Sequence, residues 1–369
     1  MSRRRTSLLI ALAACLLVLS SACAGGSSSS SSGKADGKYR VALSMSYSGN
    51  DWQGEAANLI KVAAKKEPLK SKVDELKVFV AGTEAQNQIS QIQQMISSKY
   101  DAIIIYPISP TALNSVIKQG CDSGIVMMTY DASVTEPCAH NVTFDQKDAG
   151  KVTAEALSDL MGNKGNVVLI TGVAGTSVDA DRTSAAKAVF KERGIKVLDQ
   201  CAGDWAQGPA GECMNRFLAA FDDIDGVWAQ VGGPAVLDAL DAAGKPYIPI
   251  LSESENRFRQ ALLNPAYTKK GLKGASYGSP PWQGAAALQM AIDSLDNGTK
   301  LESTIDVGYP FLKQDQIKPC KDGTLKDMKS GCNTFTSKDV SAGFMADWYH
   351  EKWTGNITLD EVRTGKVAS

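Results

Sequence analysis

Histidine is almost missing from this chain of 369 residues, with His140 and His350 as the whole supply. That scarcity leaves almost no support for a serine–histidine hydrolase, and no Gly-x-Ser-x-Gly elbow is present to hold a nucleophile. Cys-x-x-Cys is also absent, so zinc, the competing use for the cysteines, has no ligand pattern; neither metal nor cofactor is expected. The body of the chain has no basic runs, and losing Arg3, Arg4 and Arg5 would take its formal net charge from −1 to −4. A mildly acidic body of this kind argues against nucleic acid and against electrostatic membrane binding.

What is present begins at the amino end. Three arginines precede an uncharged apolar run from Leu8 to Leu19, about 12 residues, well short of the roughly 20 that a spanning helix needs. Residues 1–22 therefore read as a signal peptide. Leu19-Ser20-Ser21-Ala22-Cys23 resembles the lipobox of bacterial lipoproteins, which makes Cys23 the expected lipidated amino terminus. Residues 23–37, with serines from Ser27 to Ser32, carry nothing able to seed a core and read as a slack tether. Ser2-Arg3-Arg4 faintly resembles a twin-arginine signal, which leaves the export route open.

Apart from Cys15 and Cys23, the cysteines are Cys121, Cys138, Cys201, Cys213, Cys320 and Cys332, three pairs close in sequence. Six cysteines allow fifteen pairings and sequence alone does not choose among them. In an exported chain we expect the sequential set, each bridge closing a loop of about 12 to 17 residues and contributing on the order of 3 kcal/mol.

From Lys38 onward, short β-rich apolar runs alternate with amphipathic stretches. Strands are expected at Tyr39–Met45, Leu76–Val80, Ala102–Tyr106, Ile125–Asp131, Asn141–Phe144, Val167–Thr171, Ile195–Leu198, Val227–Val231, Ile248–Leu251 and Gly274–Gly278. Glu84–Lys99 puts Ile89, Ile92 and Ile96 on one helical stripe, and Ala149–Met161 does the same with Val152, Ala156, Leu157 and Leu160. Such alternation specifies parallel sheets covered on both faces. The pattern breaks into two similar halves near Asp145, so the expected class is α/β with two doubly wound parallel-sheet lobes joined by a multi-strand hinge. We divide them as 38–145 with 279–308, and 146–278 with 309–369, the last carrying a carboxy-terminal extension.

In doubly wound sheets ligands bind outside the carboxyl ends of the strands. The residues there are polar and aromatic: Ser46, Asn50, Trp52, Asp131, the stretch Thr176 to Arg182, Trp205, Glu253, Glu255 and Tyr277. Carboxylates and arginine offer charge-assisted hydrogen bonds to hydroxyls, while indoles cover the apolar face of a sugar ring. Gly172-Val173-Ala174-Gly175-Thr176-Ser177 lacks the Gly-Lys-Ser/Thr ending of a phosphate loop and reads as a tight strand-to-helix turn. Glu253 and Glu255, two apart on one strand end, are not placed to face each other across a glycosidic bond and are not read as a glycosidase pair.

These stretches resemble the ribose-type periplasmic binding proteins, the sugar-binding branch of the type I fold, over roughly Lys38 to Lys313. The resemblance is carried by Tyr39-Arg40-Val41-Ala42-Leu43-Ser44-Met45-Ser46 with Asn50-Asp51-Trp52, Asp101 to Pro107, Val126 to Asp131, Gly172 to Ser177 with Arg182, Gly203-Asp204-Trp205 and Gly226 to Gln230. It implies that Ser46, Asn50, Trp52 and Asp131 meet the ligand from the first lobe, and that Arg182, Trp205, Glu253 and Tyr277 meet it from the second. Two departures stand out: Ala132 replaces the family's arginine after the first-lobe aspartate, and Val231-Gly232-Gly233-Pro234 replaces its usual Asn-Asp. Ribose is thereby disfavoured, and a hexose, another pentose, a polyol or a cyclitol stays open. The resemblance further implies a monomeric receptor, outside the cytoplasmic membrane, that delivers its ligand to an ABC transporter permease. A sensor presenting ligand to a membrane receptor kinase, or a surface-anchored carbohydrate hydrolase, are the alternatives. The tail beyond Lys313, with Phe335, Phe344, Trp348, Tyr349 and Trp353, is apolar enough to pack as an added lid or brace.

Overall fold

A computed structural model of the chain describes residues 37–336 and 340–368. Cys23, the signal segment and most of the serine-rich tether lie outside the described residues.

Six strands form the first sheet: β1 (Tyr39–Met45), β2 (Val73–Val80), β3 (Ala102–Tyr106), β4 (Val126–Tyr130), β5 (His140–Thr143) and, much later in the chain, β11 (Thr304–Asp306). Their order is β11-β5-β4-β3-β1-β2 and every pairing is parallel. The parallel connections from β1 through β4 run over helices, α1 (Asp51–Ala63), α2 (Ala85–Ser97) and α3 (Asn114–Asp122), whereas β4 reaches β5 through a loop. All five residues of β3 are buried, as an unbroken Ala-Ile-Ile-Ile-Tyr run in the middle of a two-sided sheet requires.

The second sheet repeats the plan with β6 (Asn166–Thr171), β7 (Lys196–Ala202), β8 (Gly226–Ala229), β9 (Ile250–Ser252) and β10 (Gly274–Tyr277), plus β12 (Phe311–Lys313). Its order is β12-β10-β9-β8-β6-β7; β12 is antiparallel to β10 and the other pairings are parallel. Around it lie α4 (Gln146–Leu160), α5 (Ser177–Glu192), α6 (Gln207–Ala220), α7 (Gly233–Ala242), α8 (Asn256–Leu263) and the short α9 (Pro265–Thr268). Helix α10 (Gln283–Asn297) returns the chain to the first lobe. The two lobes are thus joined where β5 leads into α4, where β10 leads into α10, and where β11 leads into β12.

The structure joins Cys121 to Cys138, Cys201 to Cys213 and Cys320 to Cys332. The first bridge ties the end of α3 to the residue two before β5, at the amino edge of the sheet and away from the strand ends that face the other lobe.

The tail adds β13 (Pro319–Cys320), α11 (Leu325–Lys329), β14 (Thr334–Phe335), α12 (Glu351–Thr354) and α13 (Leu359–Thr364). Chain order had grouped it with the second lobe, but it reaches both. β14 lies on α8, whereas α12 lies on α10 and α13 on α1. Trp348, Ile357 and Val362 share one buried cluster with Leu59 and Ile60 of α1, because an amphipathic tail with five large aromatics needs an apolar face to cover.

Candidate functional site

Carboxyl ends of both sheets face each other, and between them lies a cavity with about 270 Å³ of empty volume. Asn50, Trp52 and Asp131 line it from the first lobe, Arg182, Trp205 and Glu253 from the second, and Ser279 from the β10–α10 crossing. Tyr47, Tyr106, Val178 and Val231 complete the wall.

Each lining group is held by its own local structure. Asn50 caps α1, its Oδ1 accepting from Gln53 N at 2.8 Å, which fixes the turn that presents Trp52. The Trp52 indole lies parallel to Tyr130, centroids 6.1 Å apart, and its Nε1 donates to Ser279 O at 2.7 Å. Across the cavity Trp205 stacks on Tyr47 at 6.4 Å and donates its Nε1 to Gln230 Oε1 at 2.8 Å. A side chain at Gly172 would overlap the Trp205 ring, so the glycine-rich turn after β6 makes room for the indole and caps α5 through Thr176. Of the five non-glycine residues with positive φ among the described residues, Asp131, Asp204 and Trp205 are three. Such backbone costs of order 1–3 kcal/mol per residue and collects where geometry is imposed for a purpose.

The charged centre of the cavity is Arg182, which is 2% exposed. Its Nε donates to Gln146 Oε1 at 2.7 Å, and its Nη1 to Tyr277 Oη at 3.1 Å and Glu253 Oε1 at 3.4 Å. Its Nη2 has no hydrogen-bond partner; Asp131 Oδ1 stands 4.0 Å away. Burial alone would lower the pKa of this guanidinium, but Tyr277, Glu253 and Asp131 outweigh that and hold it raised, so its charge is permanent. Asp131 Oδ1 accepts from Ser279 Oγ at 2.5 Å and, at 3.3 Å, from the amides of Gln146 and Gln283, so the β5–α4 and β10–α10 crossings are tied to one carboxylate. Burial pushes the Glu253 carboxyl up to about 8, against the opposing pull of Arg182.

Two expected residues sit behind the wall. Ser46 is fully buried with its Oγ unpartnered and does not line the cavity. Tyr277 reaches the site only through Arg182, because its hydroxyl is used by that guanidinium and by Gln230 O. Glu255 turns away to accept from Gly232 N, Gly233 N, Ser252 Oγ and Gln207 Nε2 at the start of α7. Sequence reasoning missed Tyr47, Tyr106 and Ser279. Tyr106 ends β3 and was open to the same strand-end rule that found Asp131; Ser279 lies in an irregular crossing and had no such signal.

A family model described as a periplasmic binding protein domain matches residues 41–300. The xylitol-binding protein of Mycolicibacterium smegmatis is 31% identical over 176 residues, 46% of this chain; that match spans half of the relative's own length. The ribose import binding protein RbsB of Bacillus subtilis is 22% identical over 271 residues, 73% of this chain and 85% of its own. Among solved structures, an ABC transporter solute binding protein from Thermobispora bispora superposes with a TM-score of 0.70 at 25% identity, covering 80% of this chain and 98% of that one.

Proposed function

We propose that this chain, which belongs to the periplasmic binding protein domain family, captures one small neutral sugar, polyol or cyclitol between its lobes and hands it to an ABC importer. The observation that carries the reading is the buried, permanently charged Arg182, whose Nη2 is directed at no protein acceptor while Asp131 and Glu253 flank it. An unpaired buried donor is costly, and a ligand hydroxyl placed there would remove the cost. The Asp131 carboxylate would accept from one further hydroxyl and the protonated Glu253 carboxyl would hydrogen-bond to another, while Trp52 and Trp205 would cover the ring from opposite lobes. Because the polar groups come from both lobes, ligand bonds form together only when the cleft is closed, which couples binding to closure.

The names of the relatives support a sugar or polyol, and the family supports a receptor outside the cytoplasm. Cys23 would carry the lipid that keeps this receptor at the outer face of the membrane; mass spectrometry of the native amino terminus should find a diacylglyceryl cysteine, and cleavage elsewhere would refute the anchor.

A thermal-shift screen of pentoses, hexoses, pentitols, inositols and nucleosides tests the function. A bound ligand at a hundredfold excess over its Kd stabilises by about 2.7 kcal/mol, which such a screen resolves. A rise with a neutral sugar, polyol or cyclitol supports the reading; a rise with nucleosides alone overturns it.

A further inference from the structure

The tail segment Ser341–Asp347 runs between the two walls of the cavity, on their outer side. Toward the first lobe, Ser341 Oγ donates to Asp51 Oδ1 at 3.1 Å and Met345 N donates to Glu55 Oε1 at 2.8 Å, both acceptors lying in the opening turns of α1. Toward the second lobe, Ala346 N donates to Ser254 O at 2.8 Å, Asn256 N to Phe344 O at 2.8 Å and Arg257 N to Ala342 O at 3.2 Å. The first attachment is to the turn that presents Trp52, the second to the turn that presents Glu253.

Close approach on both sides shows how little slack there is. A Cβ at Gly343 would run into Asp51 Oδ2 on one side and come within 3.2 Å of Gln207 Nε2 on the other. A Cβ at Gly278, in the β10–α10 crossing, would run into Asp347 Oδ2. Asp347 itself receives Arg259 Nη1 at 2.8 Å and Nη2 at 2.5 Å, which fixes this end of the segment to α8. Past Asp347 the chain commits to the first lobe, where Glu361 takes Lys66 Nζ at 2.7 Å and Asn58 Nδ2 donates to Val362 O at 2.8 Å.

We propose that Ser341–Asp347 is a fourth link between the lobes, one that limits how far the cleft opens, and that Glu55 is its positioning residue on the first lobe. The three hinge crossings lie together beneath the cavity and leave the strand-end faces free to part. A segment bonded to both faces near the cavity cannot follow that parting without losing its bonds on one of them. The first-lobe side is the one to let go, since it holds this segment by two hydrogen bonds, whereas the second lobe holds it by three main-chain bonds and a bidentate ion pair. Glu55 is 4% exposed, and its Oε2 has no partner, so the carboxyl is kept in place by burial and by the Met345 amide alone.

The test uses the ligand-free protein, so it does not depend on the sugar reading. Small-angle scattering and amide exchange are measured on the parent, on Glu55→Ala with Ser341→Ala, and on Glu55→Gln, whose amide oxygen can still accept from Met345. The double variant should show a larger radius of gyration and exchange at Met345 about tenfold or more faster, with Ala346, bonded to the second lobe, left as in the parent; Glu55→Gln should match the parent throughout. If the double variant is folded and its dimensions and exchange are unchanged, or if only its melting temperature falls, the tail is an ordinary brace and the proposal fails. Should the double variant not fold, Ser341→Ala alone decides by the same exchange readout, with no quickening at Met345 counting against the link.

Discussion

Two arginines are buried in the second lobe, and they are buried for different ends. Arg259, 0% exposed, has an acceptor for each of its nitrogens: its Nε donates to Ser276 Oγ at 2.9 Å, its Nη1 to Asn333 O at 2.8 Å, and both Nη atoms meet Asp347. Arg182 is almost as deep but is left incomplete, with one long bond to Glu253, the Asp131 carboxylate 4.0 Å from Nη2, and one nitrogen without an acceptor. A guanidinium that serves only the fold fills its donors from within the chain. One that leaves a donor facing a cavity, between two aromatic walls, is placed to bind something that comes and goes.

Substituting each arginine separates the two roles. Arg259→Ala strands the mostly buried Asp347 carboxylate, and removing one partner of such a pair costs about 3–5 kcal/mol. Denaturant midpoints should record that loss. A change below about 1 kcal/mol would mean that the tail is not fastened through this pair.

Arg182→Ala should leave the fold standing and weaken ligand binding tenfold or more, since a charge-assisted hydrogen bond to a buried hydroxyl is worth roughly 1.5–3 kcal/mol. Asp131→Asn should weaken it similarly. Calorimetry with the tightest member of the screen reads both, and parent-like affinity in both variants would place the ligand elsewhere.

Tyr277→Phe sharpens the comparison, because Tyr277 acts on the ligand only by steadying Arg182 Nη1 at 3.1 Å. Losing that bond is worth about 0.5–1.5 kcal/mol, or roughly two- to tenfold in affinity. A loss as large as that of Arg182→Ala would mean that the phenol touches ligand after all.

The remaining contrast is a pH dependence. The Glu253 carboxyl is raised to about 8 by burial, so the native state holds its proton where the unfolded chain, near the ordinary value of about 4.3, has released it. Stability from this group is therefore complete below about pH 4 and fades as pH rises toward 8. Burial raises Glu55 and Glu255 as well, so the parent's slope has several sources in the same direction. Glu253→Gln should flatten the melting temperature against pH between 5 and 8; an unchanged slope would remove Glu253 as a contributor.

Central strands were the easiest part of the fold to read, because burial on both faces writes them as unbroken apolar runs. β1 and β3 begin and end where those runs do. The two strands read short by three residues or more are both sheet edges. β2 begins at Val73 rather than Leu76, with Glu75 paired to Arg40 at 2.8 Å, and β7 continues through Asp199 and Gln200 to Ala202. An edge strand carries polar residues that an apolar-run criterion discards. Asn50, Trp52, Asp131, Arg182, Trp205 and Glu253 could be picked out because strand ends and family likeness point to the same positions. Ser46 and Tyr277 also lie at strand ends, and only side-chain direction puts them behind the wall. The tail's double attachment was illegible for another reason: packing partners distant in sequence leave no periodic mark on either segment.

The central claim, that Arg182 is left incomplete for a ligand to finish, is met most directly by a crystal structure of the protein with the tightest sugar or polyol from the screen. A ligand oxygen is expected within about 3.2 Å of Arg182 Nη2, with the ligand also bonded to Asp131 or Glu253 and lying between Trp52 and Trp205. A ligand seated elsewhere, with Nη2 still lacking an acceptor, would contradict it.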